Sequence, residues 1–229
     1  LSFYQSRESA YGAAYGQLAY YRAMVAKGVL LDLPTGAAVE AHCQRWQLYL
    51  AGEATEQPPI GYILSMEGAP PILYPEQVDE WFAAGLRIVG PAHYGPNEYC
   101  HGTGSVGGLS SDGQQLLREM DRGGLLLDAT HLADDSFWEA LDIFQGPVLA
   151  SHHNCRTLVP GDRQLTDEQI QALVARGAVI GAAFDNWMII PGFKKYVTPP
   201  DDVSMNDIVT HIDHVCQLAG SARHSGIGT

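Results

Sequence analysis

From Ile60 onward the chain repeats one unit, in which a short, nearly continuous apolar run ends in a polar residue and gives way to a stretch with helical spacing of its apolar positions. The apolar runs predict strands over Ile60 to Met66, Leu86 to Ala92, Leu125 to Thr130, Pro147 to Ser151 and Ala178 to Phe184, with a stub at Ser225 to Thr229. Between them the pattern predicts helices over Pro75 to Ala84, Ser111 to Arg122, Asp134 to Phe144, Thr166 to Arg176 and Ser204 to Ala219. Helix starts carry suitable chemistry, as where Thr166, Asp167 and Glu168 put a hydroxyl and two acids at an N-terminus. Gly85, Gly123, Gly177 and Gly220 each follow a helical run. Strands apolar on both faces belong to a parallel sheet covered by helices, either a closed barrel or an open doubly wound sheet.

The first 52 residues differ. Two helices are expected there, Glu8 to Lys27 and Gly36 to Leu50, joined by Gly28 to Thr35, with no convincing strand preceding them. In an eight-stranded barrel, five full strands and a stub would leave two or more staves unaccounted for. The glycine-rich run Gly102 to Gly108 is expected to be a mobile loop.

Length and composition narrow the function classes. At 229 residues and 46% hydrophobic content the chain can bury a sizeable core, and no linker-like stretch divides it, so one domain over 1–229 is expected. The longest apolar runs fall far short of the roughly 20 residues that a membrane-spanning helix needs. No basic-then-apolar signal segment opens the chain, so a soluble protein without membrane contact is expected. A formal charge of −13, with only 13 scattered Lys and Arg, argues against a nucleic-acid partner. The four cysteines, Cys43, Cys100, Cys155 and Cys216, are too dispersed for a zinc ribbon or a disulfide framework, and reduced structural thiols are expected. The compartment stays open, the cytoplasm being the favoured setting.

The chemistry-bearing residues are distributed in register. Glu67, His93, His131 and His152 each fall at the C-terminal end of an expected strand, the face of a barrel where ligands distant in sequence converge. Two imidazoles and a carboxylate are good zinc ligands, so Glu67, His131 and His152 could share a metal, and Glu67 could bridge two ions. Neighbours in a strand point to opposite faces; of His152 and His153, His152 is taken as the one that faces the site. His42 is placed on a helix, His101 in the glycine-rich loop, and His211 and His214 on the last helix in a solvated or capping role. Asp128, inside its strand, is expected to make structural hydrogen bonds. Arg156 and Arg163, in the loop after His152, could each hold a substrate carboxylate through two parallel hydrogen bonds.

Taken together, these segments resemble the membrane dipeptidase (renal dipeptidase) family of zinc peptidases. The resemblance runs from about Gly61 to Thr229. It rests on Ser65-Met66-Glu67-Gly68, on Leu86 to Asn97 with His93, on Leu125 to His131, on Ala150-Ser151-His152-His153-Asn154 and on Arg163 to Ile170. It implies a (β/α)8 TIM barrel of the metal-dependent hydrolase type that hydrolyses dipeptides with a metal-activated water at a two-zinc site. By that match Glu67 is the carboxylate bridging the zincs, and His131 and His152 are ligands of the second zinc. His93 contacts the substrate near the scissile carbonyl, and Arg163, in preference to Arg156, anchors the dipeptide's carboxylate. A homodimer is the expected assembly.

Two family elements lack a counterpart. No His-x-Asp motif precedes Glu67 to hold the first zinc, and the Asp expected after a Gly-Ile-Gly-Thr-like stretch would follow Thr229. Missing ends are the expected cause, and a chain limited to these residues is expected to show little or no peptidase activity. The competing readings are another metal-dependent amide or lactone hydrolase on the same barrel, and a non-catalytic ligand-binding relative.

Overall fold

The computed structural model describes residues 6–228. Helix α1 (Arg7–Ala26) leads through β1 (Leu30–Asp32) to α2 (Gly36–Leu50), and β2 (Ile60–Tyr62) runs almost directly into β3 (Leu64–Glu67). After a 3-10 turn at Pro75–Gln77, helices and strands alternate as α3 (Val78–Ala84), β4 (Leu86–Gly90), α4 (Ser111–Gly123), β5 (Leu126–Asp128), α5 (Asp134–Ile143) and β6 (Val148–Leu149). The chain continues through α6 (Asp167–Ala175), β7 (Ile180–Ala182), the single turn α7 (Asn186–Ile189) and α8 (Met205–Ala219) to β8 (Ser225–Ile227). None of the described helices is long and apolar enough to cross a membrane.

Strand order decides between the two architectures that the sequence left open. β3, β4, β5 and β6 form one parallel sheet in that order, a bridge from Ala150 to Ile180 carries it onto β7, and β7 pairs in parallel with β8. Neighbours in space are neighbours in sequence, with no reversal. A doubly wound sheet reverses its strand order at a switch point, whereas a barrel wall advances one stave at a time. Six staves are therefore laid as in a barrel, and among the described residues β3 and β8 do not close on each other.

Two sequence expectations need correction at the beginning of this wall. The segment Gly28 to Thr35, expected only to join two helices, carries a strand: β1 pairs in parallel with β2, Leu30 opposite Ile60. Its three residues, Leu-Leu-Asp, are too few for any alternation to show. The run Ile60 to Met66 is also two strands, broken at Ile63, because β2 takes β1 as partner while β3 takes β4 and shifts register between Leu64 and Ser65.

The outer helices pack their apolar faces on the wall. Leu116, Leu117 and Met120 of α4, Phe137 and Ala140 of α5, and Ile170 and Leu173 of α6 are buried in one cluster with Val89 of β4 and Leu127 of β5. Local chemistry sets the ends. Thr166 and Gln169 form a reciprocal capping box on α6, and Gly124 and Gly220 close α4 and α8 in the left-handed conformation. Gly123, expected to follow α4, is its last residue instead.

Candidate metal centre

Each of the three strand-end histidines stands three residues beyond its strand: His93 after Gly90, His131 after Asp128, His152 after Leu149, while Glu67 is the last residue of β3. Parallel staves put all these ends on one rim. There Nε2 of His131 and Nε2 of His152 both lie 3.2 Å from Oε1 of Glu67. One ligand atom from each of the three residues falls within 4.8 Å of the others. Ligands bound at about 2.0–2.1 Å around a tetrahedral zinc are spaced about 3.3 Å apart, so the two nitrogen–oxygen separations match the edges of such a tetrahedron. Two imidazoles and a carboxylate are also the right donors, so the residues present fit a zinc ion.

The surroundings favour the ligand-competent forms. Hydrogen bonding to His131, then to His152, holds the Glu67 carboxyl far below the usual carboxylate range. Burial lowers the His131 pKa to about 4, so its ring is neutral at neutral pH. His131 also sits at φ 68 in the left-handed region, which non-glycine residues rarely enter and which concentrates at functional sites. Asp128 props the turn that produces this: its Oδ1 accepts from the Thr130 and Ser151 amides, both at 3.0 Å.

His93 stacks beside the cluster, its ring centroid 4.6 Å from that of His131, and Tyr94 lies 5.1 Å from His131 on the same measure. Arg163 is buried; its Nη2 donates to the His152 carbonyl at 2.9 Å, and its Nη1 finds no partner among the described residues. Arg156 points elsewhere, its two terminal nitrogens each 2.8 Å from an oxygen of Asp134. His153 does not join the cluster of Glu67, His131 and His152: its amide donates to the Gly181 carbonyl at 2.8 Å, and its ring is buried with Nδ1 unpartnered among the described residues.

The other histidines fasten the scaffold. In α2, Nε2 of His42 accepts from the Trp46 indole at 3.1 Å, and Nδ1 of His101 donates to the Gly108 carbonyl at 3.1 Å. His211 is neither solvated nor a cap. It is 2% exposed, accepts from the Cys155 amide at Nδ1 (3.1 Å) and donates from Nε2 to the Ile189 carbonyl (3.0 Å). His214 lies 2.8 Å from the Asp167 carboxylate at the start of α6. All four cysteines are free, and burial pushes the Cys100 and Cys155 thiols up to about 12.

Sequence reasoning passed over three residues of this rim. Thr103 Oγ1 is 2.9 Å from Nδ1 of His131, Ser151 Oγ is 2.8 Å from Nδ1 of His152, and Tyr94 flanks His131. Ser151 and Tyr94 each adjoin a residue already singled out, a signal that was there to use; Thr103 lies in a glycine-rich run that carries none. That run is also better anchored than a mobile loop. Thr103 N donates to the His93 carbonyl (3.0 Å), Gly102 N to the Gly95 carbonyl (3.0 Å) and Gly104 N to the Asp162 carboxylate (2.7 Å). Its glycines serve close approach, since a Cβ on Gly102 would fall on the His93 carbonyl oxygen.

Comparison with known proteins adds to this geometry. Residues 49–229 match the family model of the membrane dipeptidases, peptidase family M19. A dipeptidase of Claviceps purpurea, tcpJ, is 30% identical over 149 residues, 63% of this chain and 33% of its own. An uncharacterized protein of Acinetobacter calcoaceticus is 27% identical over 174 residues, 72% of this chain and 54% of its own. The chain thus spans about half the length, or less, of the curated relatives it matches. Among solved structures, dipeptidase AC, a metallopeptidase, superposes with a TM-score of 0.81 at 22% identity, covering 97% of this chain and 64% of that one. A metallopeptidase from Rhodobacter sphaeroides, liganded with a phosphinate mimic of the dipeptide L-Ala-D-Ala, superposes with a TM-score of 0.79 at 23% identity, covering 97% of this chain and 62% of that one. These two likenesses show the fold.

Proposed function

The chain belongs to the membrane dipeptidase family, peptidase family M19, and from that premise we propose that the whole protein is a zinc-dependent dipeptidase whose metal centre includes Glu67, His131 and His152. The observation that carries this reading is the convergence of three ligand atoms from three different staves within 4.8 Å. In the complete centre Glu67 would be shared by two zinc ions, one of which His131 and His152 would also hold. Zinc in such a site supplies Lewis acidity, bringing the pKa of a water toward about 7.

The chain's own residues do the rest by position. Arg163 places a guanidinium beside the rim, its Nη2 holding the His152 carbonyl, and a cation so placed suits the free carboxylate of a dipeptide. Anchoring that carboxylate fixes the scissile bond relative to the rim, which converts encounter into an oriented reaction. His93, beside His131, is the donor for negative charge developing on the scissile carbonyl oxygen. The Arg163 cation favours this substrate class over a cyclic amide or lactone, many of which carry no carboxylate to hold. The Rhodobacter relative's dipeptide mimic points the same way.

The test uses the full-length protein: zinc content, together with turnover of a dipeptide panel that includes D-residues at the C-terminal position. About two zincs per chain and dipeptide hydrolysis are expected. Glu67→Gln should lower turnover by at least 100-fold, the scale on which removing a transition-state charge stabiliser acts. A Glu67→Gln enzyme with full zinc and full turnover would exclude the bridging role.

A further inference from the structure

The hydrogen bond between Thr103 and His131 does more than fill space. A hydroxyl has a single proton to give. Oγ1 of Thr103 lies 2.9 Å from Nδ1 of His131 and 3.5 Å from the carbonyl oxygen of the same residue, and the latter can only accept. With the hydroxyl proton directed to that carbonyl, Oγ1 is left to accept from Nδ1–H. In this structure Nε2 of His131 hydrogen-bonds the Glu67 carboxylate; with a zinc ion in place of that bond, the proton of the neutral ring would be on Nδ1, held by Oγ1, and the Nε2 lone pair would be free for the ion. Thr103 and His131 are 4% and 3% exposed, so water has little room to replace the bond.

The other imidazole is held less tightly. Nδ1 of His152 meets Ser151 Oγ at 2.8 Å, but that hydroxyl is also 3.2 Å from Thr130 Oγ1, and the His152 side chain is 20% exposed, so solvent can take over either contact. Thr103 is further distinguished by its backbone. Its amide donates to the His93 carbonyl at 3.0 Å, its carbonyl accepts from Gly95 at 2.8 Å, and the next residue, Gly104, donates to Asp162, the neighbour of Arg163. One residue thus fixes the orientation of His131 and ties to it the segment that carries His93.

We propose that Thr103 is a positioning residue of the metal centre, its hydroxyl holding His131 in the Nδ1–H tautomer so that the Nε2 lone pair is aimed at the ion beside Glu67. The proposal rests on the metal reading given above. Partners of this kind on ligating histidines characteristically change metal affinity about 10–100-fold when removed.

The experiment is a zinc competition titration against a chromophoric chelator on full-length wild-type, Thr103→Val and Thr103→Ser proteins. Thr103→Val keeps the shape and removes the hydroxyl; its zinc affinity should fall about 10–100-fold, and Thr103→Ser should restore it. Wild-type affinity in Thr103→Val overturns this proposal alone, as does a loss in Thr103→Ser equal to that in Thr103→Val, since the hydroxyl that serine keeps would then not be what holds the ring. A wild-type protein that binds no zinc overturns the metal reading and this proposal with it. A measurement on the zinc-loaded wild-type protein needs no variant: by nitrogen-15 NMR the Nδ1–H proton of His131 should be present and sheltered from solvent exchange. Free exchange of that proton would overturn the proposal even if Thr103→Val failed to fold.

Discussion

At the scale of single residues, the histidines are sorted by what each ring nitrogen meets. His131 and His152 turn Nε2 to a carboxylate and Nδ1 to a hydroxyl, a ligand's arrangement. His211 has an amide donating to one nitrogen and a carbonyl accepting from the other, which only the neutral ring satisfies. The sequence showed His211 and His214 one turn apart and could not show that Ile189 and Cys155 close over the first of them. His211→Ala should therefore leave two buried backbone groups unpaired, at about 1–3 kcal/mol each, and lower stability by about 3 kcal/mol in urea denaturation while zinc content stays unchanged. Burial lowers the His211 pKa, and also that of His153. Between the ordinary histidine value of about 6.5 and the lower folded values, the unfolded chain binds more protons. The contribution of these rings is thus fully present above about pH 6.5 and is lost as pH falls through the folded values. In His211→Ala this acid-side decline should be shallower than in the wild type; an unchanged slope would mean that His211 titrates normally.

At the scale of elements, the alternation of strands and helices from β3 onward was legible because it is written locally, in apolar runs, caps such as Thr166 with Gln169, and terminal glycines. What was not legible depends on partners. β1 is a strand only because β2 lies beside it, and the break at Ile63 exists because β2 and β3 answer to different neighbours. The same holds for the segment after β7, which is held from outside. Asn154, two residues beyond His152, accepts from the Ala183 amide at 3.0 Å and donates to the carbonyls of Ala183 (2.9 Å) and Met188 (3.1 Å); Gln164, beside Arg163, donates to Met188 as well, at 2.7 Å. The stretch from β7 into α7 is thereby pinned to the segments that carry His152 and Arg163. Asn154→Ala should cost about 2–4 kcal/mol, since it strands the buried amide and carbonyl of Ala183, while the Met188 carbonyl keeps Gln164 as its donor. Hydrogen exchange at the Ala183 amide should accelerate by more than the global loss explains. Equal acceleration across the core would show instead that Asn154 supports the whole fold and not this junction.

At the scale of the molecule, the staves follow one another in sequence order while the site draws on staves that are not all adjacent. Glu67 comes from β3, His131 from the end of β5 and His152 from the end of β6, with β4 between the first two. A metal held by all three is a clasp across the rim: it can bind only when β3, β5 and β6 are in their folded places, because no short stretch of unfolded chain offers the same set. Binding to the folded state alone raises stability by about 2.7 kcal/mol when free zinc is 100 times its dissociation constant. Zinc should therefore raise the melting temperature of the full-length protein, and a chelator should lower it. The shift should shrink in Glu67→Gln, which removes the charged ligand, and also in Thr103→Val if His131 depends on its hydroxyl partner. Zinc-free melting of Glu67→Gln should stay near that of the wild type, since the substitution leaves intact the cluster that joins β4 and β5 to α4, α5 and α6. Thr103→Val, which strands the buried Nδ1 of His131, should melt lower even without zinc. A zinc shift undiminished in Glu67→Gln would put the metal elsewhere on the molecule. Equal losses with and without zinc would instead make Glu67 a structural residue of the wall.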